Sequence, residues 1–406
     1  MPMRVPAVAS ALLFCALLAG ASSLFAEEPE PPRFRLSASA LGGLPLDQTA
    51  SSPLAGSLPV PSLSAGSTER DSGKPSFVAV PLPNSNPTLG SGLGAVGLLF
   101  FRPSKADTVS PSSTIGAGGI YFDTKSWAVA AGGKLILNED RWRITAAFAA
   151  ADLRYDLYGK GAEESSSGSA VGVRQKMSGG TVQVQLRLFG RIYGGVRYVL
   201  SDVTTALTSP GETLPPGVGE SELALRVAGL GPVVSLDSRD NQFFPREGWA
   251  VDLRSDFYTG SLGSETRFEK YEANVRAYFP VRSGDAVATQ LYVCATGGEA
   301  PFFLQCLYGS AGVLRGYPVG RYYDQTMFGA QVEYRWNVFP RWVVAGFAGV
   351  GGVAPAFGSY TSTDILPAAG IGVRWIAEPK EKATLRFDYA WGKNRGAFYL
   401  SIGEAF

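Results

Sequence analysis

The sequence predicts an all-β fold, a transmembrane antiparallel β-barrel of about 16 strands. Three observations point to it. Apolar and polar residues alternate along many short segments from about residue 75 onward, short and long connections alternate between these segments, and the chain begins like a secreted protein. Glycine contributes 50 residues and aromatic residues 12% of the chain, a composition that suits strands and tight turns better than helices.

Residues 1–26 have the features of a secretory signal peptide, in which Arg4 is the only charge before Glu27. An apolar segment spans residues 8–25, and Ala26 provides a small residue for cleavage, with Ala21 as the alternative. Residues 27–74 are rich in Ser, Pro, Gly and Ala, which predicts a flexible periplasmic segment. Residues 75–406 are predicted to form the barrel.

Within the predicted barrel, the segment 328–336 shows the alternation most clearly. One set of positions is mostly large and apolar (Phe328, Ala330, Val332, Tyr334 and Trp336), and the other set is Gly329, Gln331, Glu333 and Arg335. Because successive side chains of a strand point to opposite faces, the first set is predicted to face lipid and the second the lumen. The same rule predicts a hydrated lumen of mixed charge, lined by Asp252, Arg254, Asp256, Glu272, Arg276, Arg335, Arg386 and Asp388.

Counting such segments places strands near residues 75–83, 89–102, 113–122, 126–138, 141–155, 179–190, 192–203, 222–237, 248–258, 268–281, 286–297, 325–337, 341–352, 365–378, 383–392 and 396–406. Connections after odd-numbered strands are often long, as at 156–178, 204–221, 298–324 and 353–364. Connections after even-numbered strands are mostly short, with 103–112 as an exception. Short periplasmic turns and long external loops are typical of outer-membrane barrels.

The last predicted strand, 396–406, closes the barrel by pairing with the first, because lipid tolerates no open strand edge. The residues predicted to form this closure strand are Phe398, Leu400, Ile402 and Phe406. Pro81 and Pro83 of the first strand lack the N–H that a strand donates to its neighbour. Both prolines are therefore expected to weaken the pairing between the first and last strands.

The composition argues against several classes of function. The chain has no histidine, which excludes Ser-His-Asp catalysis and His-ligated metals, and a net charge of +1 gives no electrostatic basis for binding nucleic acid. After the N-terminus no apolar run reaches the roughly 20 residues that a spanning helix needs. Asp252 and Asp256 form a candidate carboxylate pair for glycoside hydrolysis, but no substrate cleft is marked. We predict no enzyme, no cofactor and no metal.

Two cysteines follow the signal peptide, Cys294 and Cys306. They form a disulfide in an oxidising compartment or remain two unrelated thiols at a strand end, and the sequence leaves both alternatives open.

Three stretches resemble the BamA/TamA superfamily, also called the bacterial surface antigen family. Leu314-Arg315-Gly316-Tyr317, within residues 300–323, is similar to the family's Arg-Gly-Phe/Tyr motif. Residues 237–248, which read Asp-Ser-Arg-Asp-Asn-Gln-Phe-Phe-Pro-Arg-Glu-Gly, are similar to its periplasmic turn after strand 8, and the run from Gly370 to Phe406 is also similar. The resemblance places the motif in the sixth external loop, folded into the lumen between strands 11 and 12. The strand count independently places residues 298–324 there.

The resemblance implies that Arg315 fixes this loop inside the barrel through a carboxylate. Glu333 is the expected partner, because the alternation of strand 12 points it inward. Family members often have a second acidic residue on strand 13, where this chain has Gly349, so Glu333 is expected to hold Arg315 alone. Gly316 is expected to allow a tight chain reversal and Tyr317 to pack against the lumen wall. The alternative is an exposed turn in an ordinary loop.

The function implied by the resemblance is protein insertion or translocation at the bacterial outer membrane. The expected partners are outer-membrane lipid and a client or periplasmic partner protein. Family members usually carry POTRA domains before the barrel, and residues 27–74 are too few for one, which suggests a narrower role. The alternative is a structural or pore-forming protein that kept the fold without the assembly activity.

Overall fold

The computed structural model describes residues 75–104, 107, 110–163, 170–209, 211–241, 244–282, 284–309, 313–378, 383–393 and 396–406. The predicted signal peptide and the segment 27–74 lie outside the described residues. Among the described residues, no helix is long and apolar enough to cross a membrane.

Sixteen antiparallel strands form a closed barrel, in which the last strand lies beside the first. This confirms the predicted fold class. Two further strands, β12 and β13, pair with each other inside the connection between β11 and β14. The strands are β1 Ser76–Asn86, β2 Gly90–Phe101, β3 Ser113–Phe122, β4 Trp127–Leu137, β5 Trp142–Tyr158, β6 Ala170–Phe189, β7 Ile192–Leu207, β8 Ala224–Asp237, β9 Gly248–Tyr258, β10 Phe268–Pro280, β11 Ala286–Gly298, β12 Cys306–Leu307, β13 Tyr323–Asp324, β14 Thr326–Phe339, β15 Trp342–Ala354, β16 Ile365–Glu378, β17 Ala383–Trp391 and β18 Gly396–Ile402.

The two ends of the barrel differ. We call the end with the connections 159–169, 208–223, 259–267, 299–325 and 355–364 the loop end. The opposite end, with the connections 102–112, 138–141, 190–191, 238–247, 281–285, 340–341 and 379–382, is the turn end. The loop end also has the short connections 87–89, 123–126 and 392–395, so long connections are more frequent at the loop end, as predicted, but do not alternate strictly with short ones.

The largest error in the predicted strand bounds lies at β6, which begins at Ala170 and not near 179. There β5 and β6 extend together beyond the apolar outer wall, and Tyr158 pairs with Ala170. Along this extension the usual pattern is reversed: inward residues such as Leu153 and Val173 are apolar, whereas Asp152 and Arg174 form an ion pair on the other face. Polar and apolar residues still alternate here, but the apolar residues face inward and the charged residues face outward, the opposite of a lipid-facing wall.

The outer wall carries exposed apolar residues between two bands of exposed aromatic side chains. The band near the turn end contains Trp142, Phe189, Trp249, Phe279, Phe339 and Trp342, and the band near the loop end contains Tyr121, Trp127, Phe257, Tyr389, Trp391 and Phe398. Such bands flank the apolar surface of transmembrane barrels.

The interior of the loop end is largely apolar, which corrects the expectation of a lumen that is hydrated throughout. Inward residues of β3–β10 form a buried cluster with the loop residues Phe302, Phe303 and Leu304. The charged residues Glu333, Arg335 and Arg374 are buried closer to the turn end. The loop fills much of the lumen at the loop end, and the charged residues Lys270 and Asp256 are buried there next to the cluster residues Phe268 and Tyr258.

The C-terminal segment departs from the predicted closure strand. β18 ends at Ile402, and Gly403 has a φ of +85°, a left-handed conformation that favours glycine. The chain then turns inward, and Phe406 is buried beside Tyr278 and Ala288. Phe398, Leu400 and Ile402 lie in β18 as predicted, but the placement of Phe406 in that strand was wrong.

The seam between β1 and β18 is the shortest strand pairing of the barrel as described. Its register consists of Ser85 opposite Leu400, whereas β1 pairs with β2 along its whole length. Pro81 and Pro83 lie in the part of β1 that precedes Ser85.

Candidate functional site

The connection between β11 and β14 runs through the interior of the barrel at the loop end. Residues 300–308 and 313–317 are buried, and the chain forms a short 3₁₀ helix at Phe302–Leu304 before β12 pairs with β13. We call residues 299–325 the lumenal loop. Its burial is unusual, because connecting segments normally lie on the protein surface, where water satisfies their backbone groups.

A disulfide joins the lumenal loop to the wall of the barrel. It links Cys294 of β11 to Cys306 of β12, with 5.7 Å between the Cα atoms. Of the two alternatives that the sequence left open, the structure contains the disulfide. It restricts the beginning of the loop to the neighbourhood of β11.

Arg315 lies near the middle of the lumenal loop and contacts three strands. Its Nη2 is 2.6 Å from Glu333 Oε2 on β14, and its Nη1 is 2.5 Å from Asp388 Oδ2 on β17. The guanidinium also lies over the Phe347 ring of β15, 3.5 Å from the centroid. Ion pairing and a cation–π contact therefore hold one side chain against three strands.

The expectation that Glu333 holds Arg315 alone was wrong, because Asp388 supplies a second carboxylate. The strand pattern did place Asp388 inward, but no sequence signal linked it to the loop. Gly349 has a different role from the acid that it replaces. A Cβ at this position would lie 2.4 Å from Cδ2 of Leu314, so the glycine makes room for the loop residue before Arg315.

The backbone around Arg315 requires glycine at the next position. Gly316 has a φ of +116°, and a Cβ there would lie 2.9 Å from the nitrogen of Gly392. Both the conformation and the space favour a residue without a side chain. The predicted tight reversal thus coincides with a close approach of the loop to the end of β17.

Tyr317 joins the loop to the neighbouring strands. Its hydroxyl donates to the carbonyl of Pro367 at 2.6 Å and accepts the N–H of Lys393 at 2.9 Å. Its ring packs edge-on against Tyr308 and Tyr322. Burial raises the pKa of Tyr317 to about 12.

The carboxylate of Glu333 connects three arginines. Besides its bond from Arg315, the carboxylate accepts a hydrogen bond from Nε of Arg335 at 2.8 Å and one from Nη2 of Arg374 at 3.1 Å. Arg374 also contacts Asp388 at 2.5 Å and Glu404 at 3.0 Å. These residues form one buried network, which we call the arginine–carboxylate cluster. Because the cluster is buried away from water, each charged group in it is stabilised mainly by the opposite charges next to it.

Arg335 extends the cluster to the turn end. Its Nη1 donates to the carbonyl of Pro245 and its Nη2 to the carbonyl of Phe406, both at 3.2 Å. Phe244, beside Pro245 in the connection 238–247, is buried against Val343 and Ile376. The turn that resembled a family motif is therefore in contact with the cluster that holds the loop.

The outer rim of the lumenal loop is held by other connections of the loop end. Val319 N–H donates to Thr88 Oγ1 at 2.7 Å, Phe302 N–H to Glu222 Oε2 at 2.5 Å, and Gly161 N–H to the carbonyl of Tyr323 at 3.0 Å. Lys160 lies 3.6 Å from Asp324. Burial raises the pKa of the Asp324 carboxyl. The loop is thus fixed at its rim as well as at Arg315.

The carboxylates considered for catalysis contact separate arginines. Asp252 accepts a hydrogen bond from Arg276, and Asp256 lies 3.1 Å from Arg197. In the described part of the chain, no group of three or more Cys, Asp or Glu residues is arranged to hold a metal ion.

Comparison with known proteins agrees with this architecture. A sequence model described as the Omp85 superfamily domain matches residues 141–406. No curated protein sequence matches the chain significantly. Among solved structures, BamA from Haemophilus ducreyi lacking POTRA domains 1–3 is 15% identical, with a TM-score of 0.57, and the match covers 82% of this chain and 71% of that one.

Two structures of CdiB are also similar. The Acinetobacter baumannii protein is 12% identical with a TM-score of 0.54, and the match covers 80% of this chain and 59% of that one. The Escherichia coli protein is 11% identical with a TM-score of 0.55, and the match covers 83% and 64%. This chain therefore spans less than two thirds of either CdiB chain. At these identities, the similarity shows the fold.

Proposed function

This chain belongs to the Omp85 superfamily, and from that membership we propose that it takes part in inserting or translocating client proteins at the bacterial outer membrane. The proposal places the loop end outside the cell and the turn end in the periplasm. The outer wall, with its two aromatic bands, would then be covered by outer-membrane lipid.

The observation that carries the proposal is the fixed lumenal loop. Arg315, Glu333 and Asp388 are buried, and the apolar cluster around Phe302 and Phe303 fills the barrel above them. A pore-forming protein needs a continuous hydrated path through its lumen, and an apolar, loop-filled section opposes one. The pore-forming alternative therefore requires the loop to leave the lumen.

The short seam supports the insertion role. The edges of β1 and β18 share one register pair, Ser85 opposite Leu400, so we expect few backbone hydrogen bonds across this seam. Such an edge is a template on which another strand can pair. We propose that client strands pair there, and that a separate periplasmic protein delivers them.

Single-channel recording of the refolded barrel tests the state of the lumen. The wild-type protein should show a small, flickering conductance that rises in Arg315→Ala, because the loop loses its central ion pairs. Arg267→Ala, an exposed arginine at the loop end, is the matched control and should leave the conductance unchanged. A large, steady conductance in all three proteins would indicate an open pore and contradict the proposal.

A crosslink across the seam tests the insertion role directly. In Ser85→Cys/Leu400→Cys, oxidation should join β1 to β18 and slow the folding of a urea-unfolded outer-membrane barrel into vesicles that contain this protein. The control is Ala131→Cys/Phe148→Cys, which joins β4 to β5 at another paired position. Equal client folding rates in the two crosslinked proteins would exclude the seam as the insertion site.

A further inference from the structure

The turn end of the barrel carries an arginine in each of six described connections. They belong to the connections after β2, β4, β6, β8, β10 and β14, and the seventh connection, 379–382, lies outside the described residues. We call these six residues the arginine ring: Arg102, Arg141, Arg191, Arg246, Arg282 and Arg341.

The ion pairs at the turn end use other arginines. Arg143 and Arg187 pair with Asp140, and Arg239 pairs with Asp237. Within the described ranges, no member of the arginine ring belongs to an ion pair of this kind. Asp285 accepts the N–H of Asn337 at 2.9 Å and the hydroxyl of Tyr334 at 2.7 Å, and these two bonds lower its pKa more than the nearby charges of Arg282 and Arg246 do.

Most of the ring is accessible from outside the chain. Arg141, Arg191, Arg282 and Arg341 are exposed, whereas Arg102 and Arg246 are half-buried. The contacts that the ring does make are with backbone carbonyls, as in the bond from Arg191 to Ser238 at 3.3 Å. Several exposed guanidinium groups thus retain donors for a ligand.

The ring lies next to the aromatic band of the turn end. Arg141 directly precedes Trp142, Arg341 lies between Phe339 and Trp342, and a single glycine separates Arg191 from Phe189. The rise of a strand is about 3.3 Å per residue, so the backbone of each of these arginines lies within about 7 Å of the backbone of an exposed aromatic residue. Aromatic bands mark the boundary between hydrocarbon and headgroups, which places the ring at headgroup level.

The opposite end of the barrel carries more exposed acids than exposed basic residues. In the described part of the chain the acids toward that end are Asp123, Asp156, Glu163, Asp202, Glu212, Glu220, Glu265 and Glu299, and the basic residues are Lys125, Lys176, Arg226, Arg267 and Lys393. At the turn end, the four exposed arginines of the ring lie among three exposed acids, Glu139, Asp240 and Glu247, so the exposed charges of the described rim are positive by a small margin. The turn end is therefore more favourable than the loop end for an anionic partner.

We propose that the arginine ring binds the headgroups of anionic phospholipids in the membrane leaflet at the turn end. A guanidinium can donate two parallel hydrogen bonds to a phosphate, and the negative surface potential of anionic lipid adds a net attraction. The neighbouring aromatic band favours lipid over an acidic surface of a periplasmic protein. This inference rests on the membrane location given under the proposed function.

Tryptophan quenching by brominated lipid provides the test. The full chain is refolded into phosphatidylcholine vesicles that contain a minor fraction of brominated phosphatidylglycerol or, in parallel, brominated phosphatidylcholine. Trp142, Trp249 and Trp342 of the turn-end band report the lipid that touches the wall. We expect phosphatidylglycerol to be enriched around the wild-type protein on the order of threefold, and less at high salt.

Two charge-matched variants locate the effect. The ring variant removes four exposed charges of the ring and should abolish the enrichment of phosphatidylglycerol. It carries Arg141→Gln, Arg191→Gln, Arg282→Gln and Arg341→Gln. Lys125→Gln/Lys176→Gln/Arg267→Gln/Lys393→Gln removes four exposed charges toward the loop end and should retain the enrichment. Equal losses in the two variants would indicate a net-charge effect and overturn the proposal.

The remaining outcomes separate this inference from the proposed function. A wild-type chain that inserts into vesicles but shows no preference for phosphatidylglycerol would overturn the lipid site alone and leave an acidic protein as the partner of the ring. A chain that inserts into no vesicle would overturn the membrane location, and the lipid site with it.

Discussion

At the scale of single residues, Glu333 is the most connected carboxylate of the site. It is fully buried and contacts Arg315, Arg335 and Arg374, which come from the loop, its own strand and β16. A buried ion pair gains little over an apolar replacement, but removing one partner leaves an uncompensated charge in a dry site. The cluster therefore contributes more to the position of the loop than to overall stability.

The first prediction concerns this carboxylate. Glu333→Gln should lower the free energy of unfolding by about 3–5 kcal/mol, because three guanidinium groups lose a shared counter-charge. Guanidinium chloride unfolding in detergent micelles measures it. Asp202→Asn, which breaks the exposed pair with Arg226, is the control and should cost far less. Similar losses in the two variants would argue against a buried, interdependent cluster.

The second prediction concerns Gly316. Gly316→Ala should release the loop although Arg315 is retained, because the new Cβ meets the backbone of Gly392 in a strained conformation. Faster proteolysis of the loop in intact vesicles would show the release. Gly358→Ala, where a Cβ has open space, should be neutral. A protease-resistant loop in Gly316→Ala would contradict the argument.

At the scale of elements, the lumenal loop is held at two separate points, the disulfide to β11 and the ion pairs to β14 and β17. A third prediction follows from this redundancy. Cys294→Ser/Cys306→Ser should leave the loop inside the barrel, because Arg315 still anchors its centre. Combining these changes with Arg315→Ala should accelerate proteolysis by more than the product of the separate effects. Independent effects would mean that the two anchors act on different parts of the loop.

Comparing the predicted with the observed ends of the strands shows which elements the sequence predicts well. Where the outer wall is apolar, as in β14, the period of two places the strand within about two residues of its observed ends. At β6 the outward face carries Arg174, and the lipid-facing pattern no longer marks the strand. At β18 the alternation continues past Ile402, but Gly403 ends the strand.

At the scale of the whole molecule, closure of the barrel depends on the seam between β1 and β18, which has the shortest strand pairing. The fourth prediction is that backbone amides of β1 and β18 exchange with deuterium faster than those of β4 and β5, because few inter-strand hydrogen bonds protect them. Hydrogen-exchange mass spectrometry of the reconstituted barrel measures the difference. Equal protection of the four strands would indicate a fully closed seam and weaken the proposed insertion role.

The cluster also links the two ends of the barrel. Arg315 of the lumenal loop and Arg335, which contacts Pro245 and Phe406, share the carboxylate of Glu333. One buried carboxylate is thus shared by a residue of the lumenal loop and a residue that contacts the connection 238–247. The physical basis is the low dielectric of the buried site, in which each ion requires its partners.

The sequence by itself determined the barrel, the number of its strands, the greater frequency of long connections at one end and the inward direction of Glu333 and Asp388. These features depend on local periodicity, which the amino-acid order contains directly. Only the tertiary structure decided that Asp388 shares Arg315, that Gly349 makes room for Leu314, that Phe406 turns inward and that the loop end contains a buried apolar cluster. Each of these depends on residues far apart in the chain that meet across the lumen, where distance and volume decide the contact.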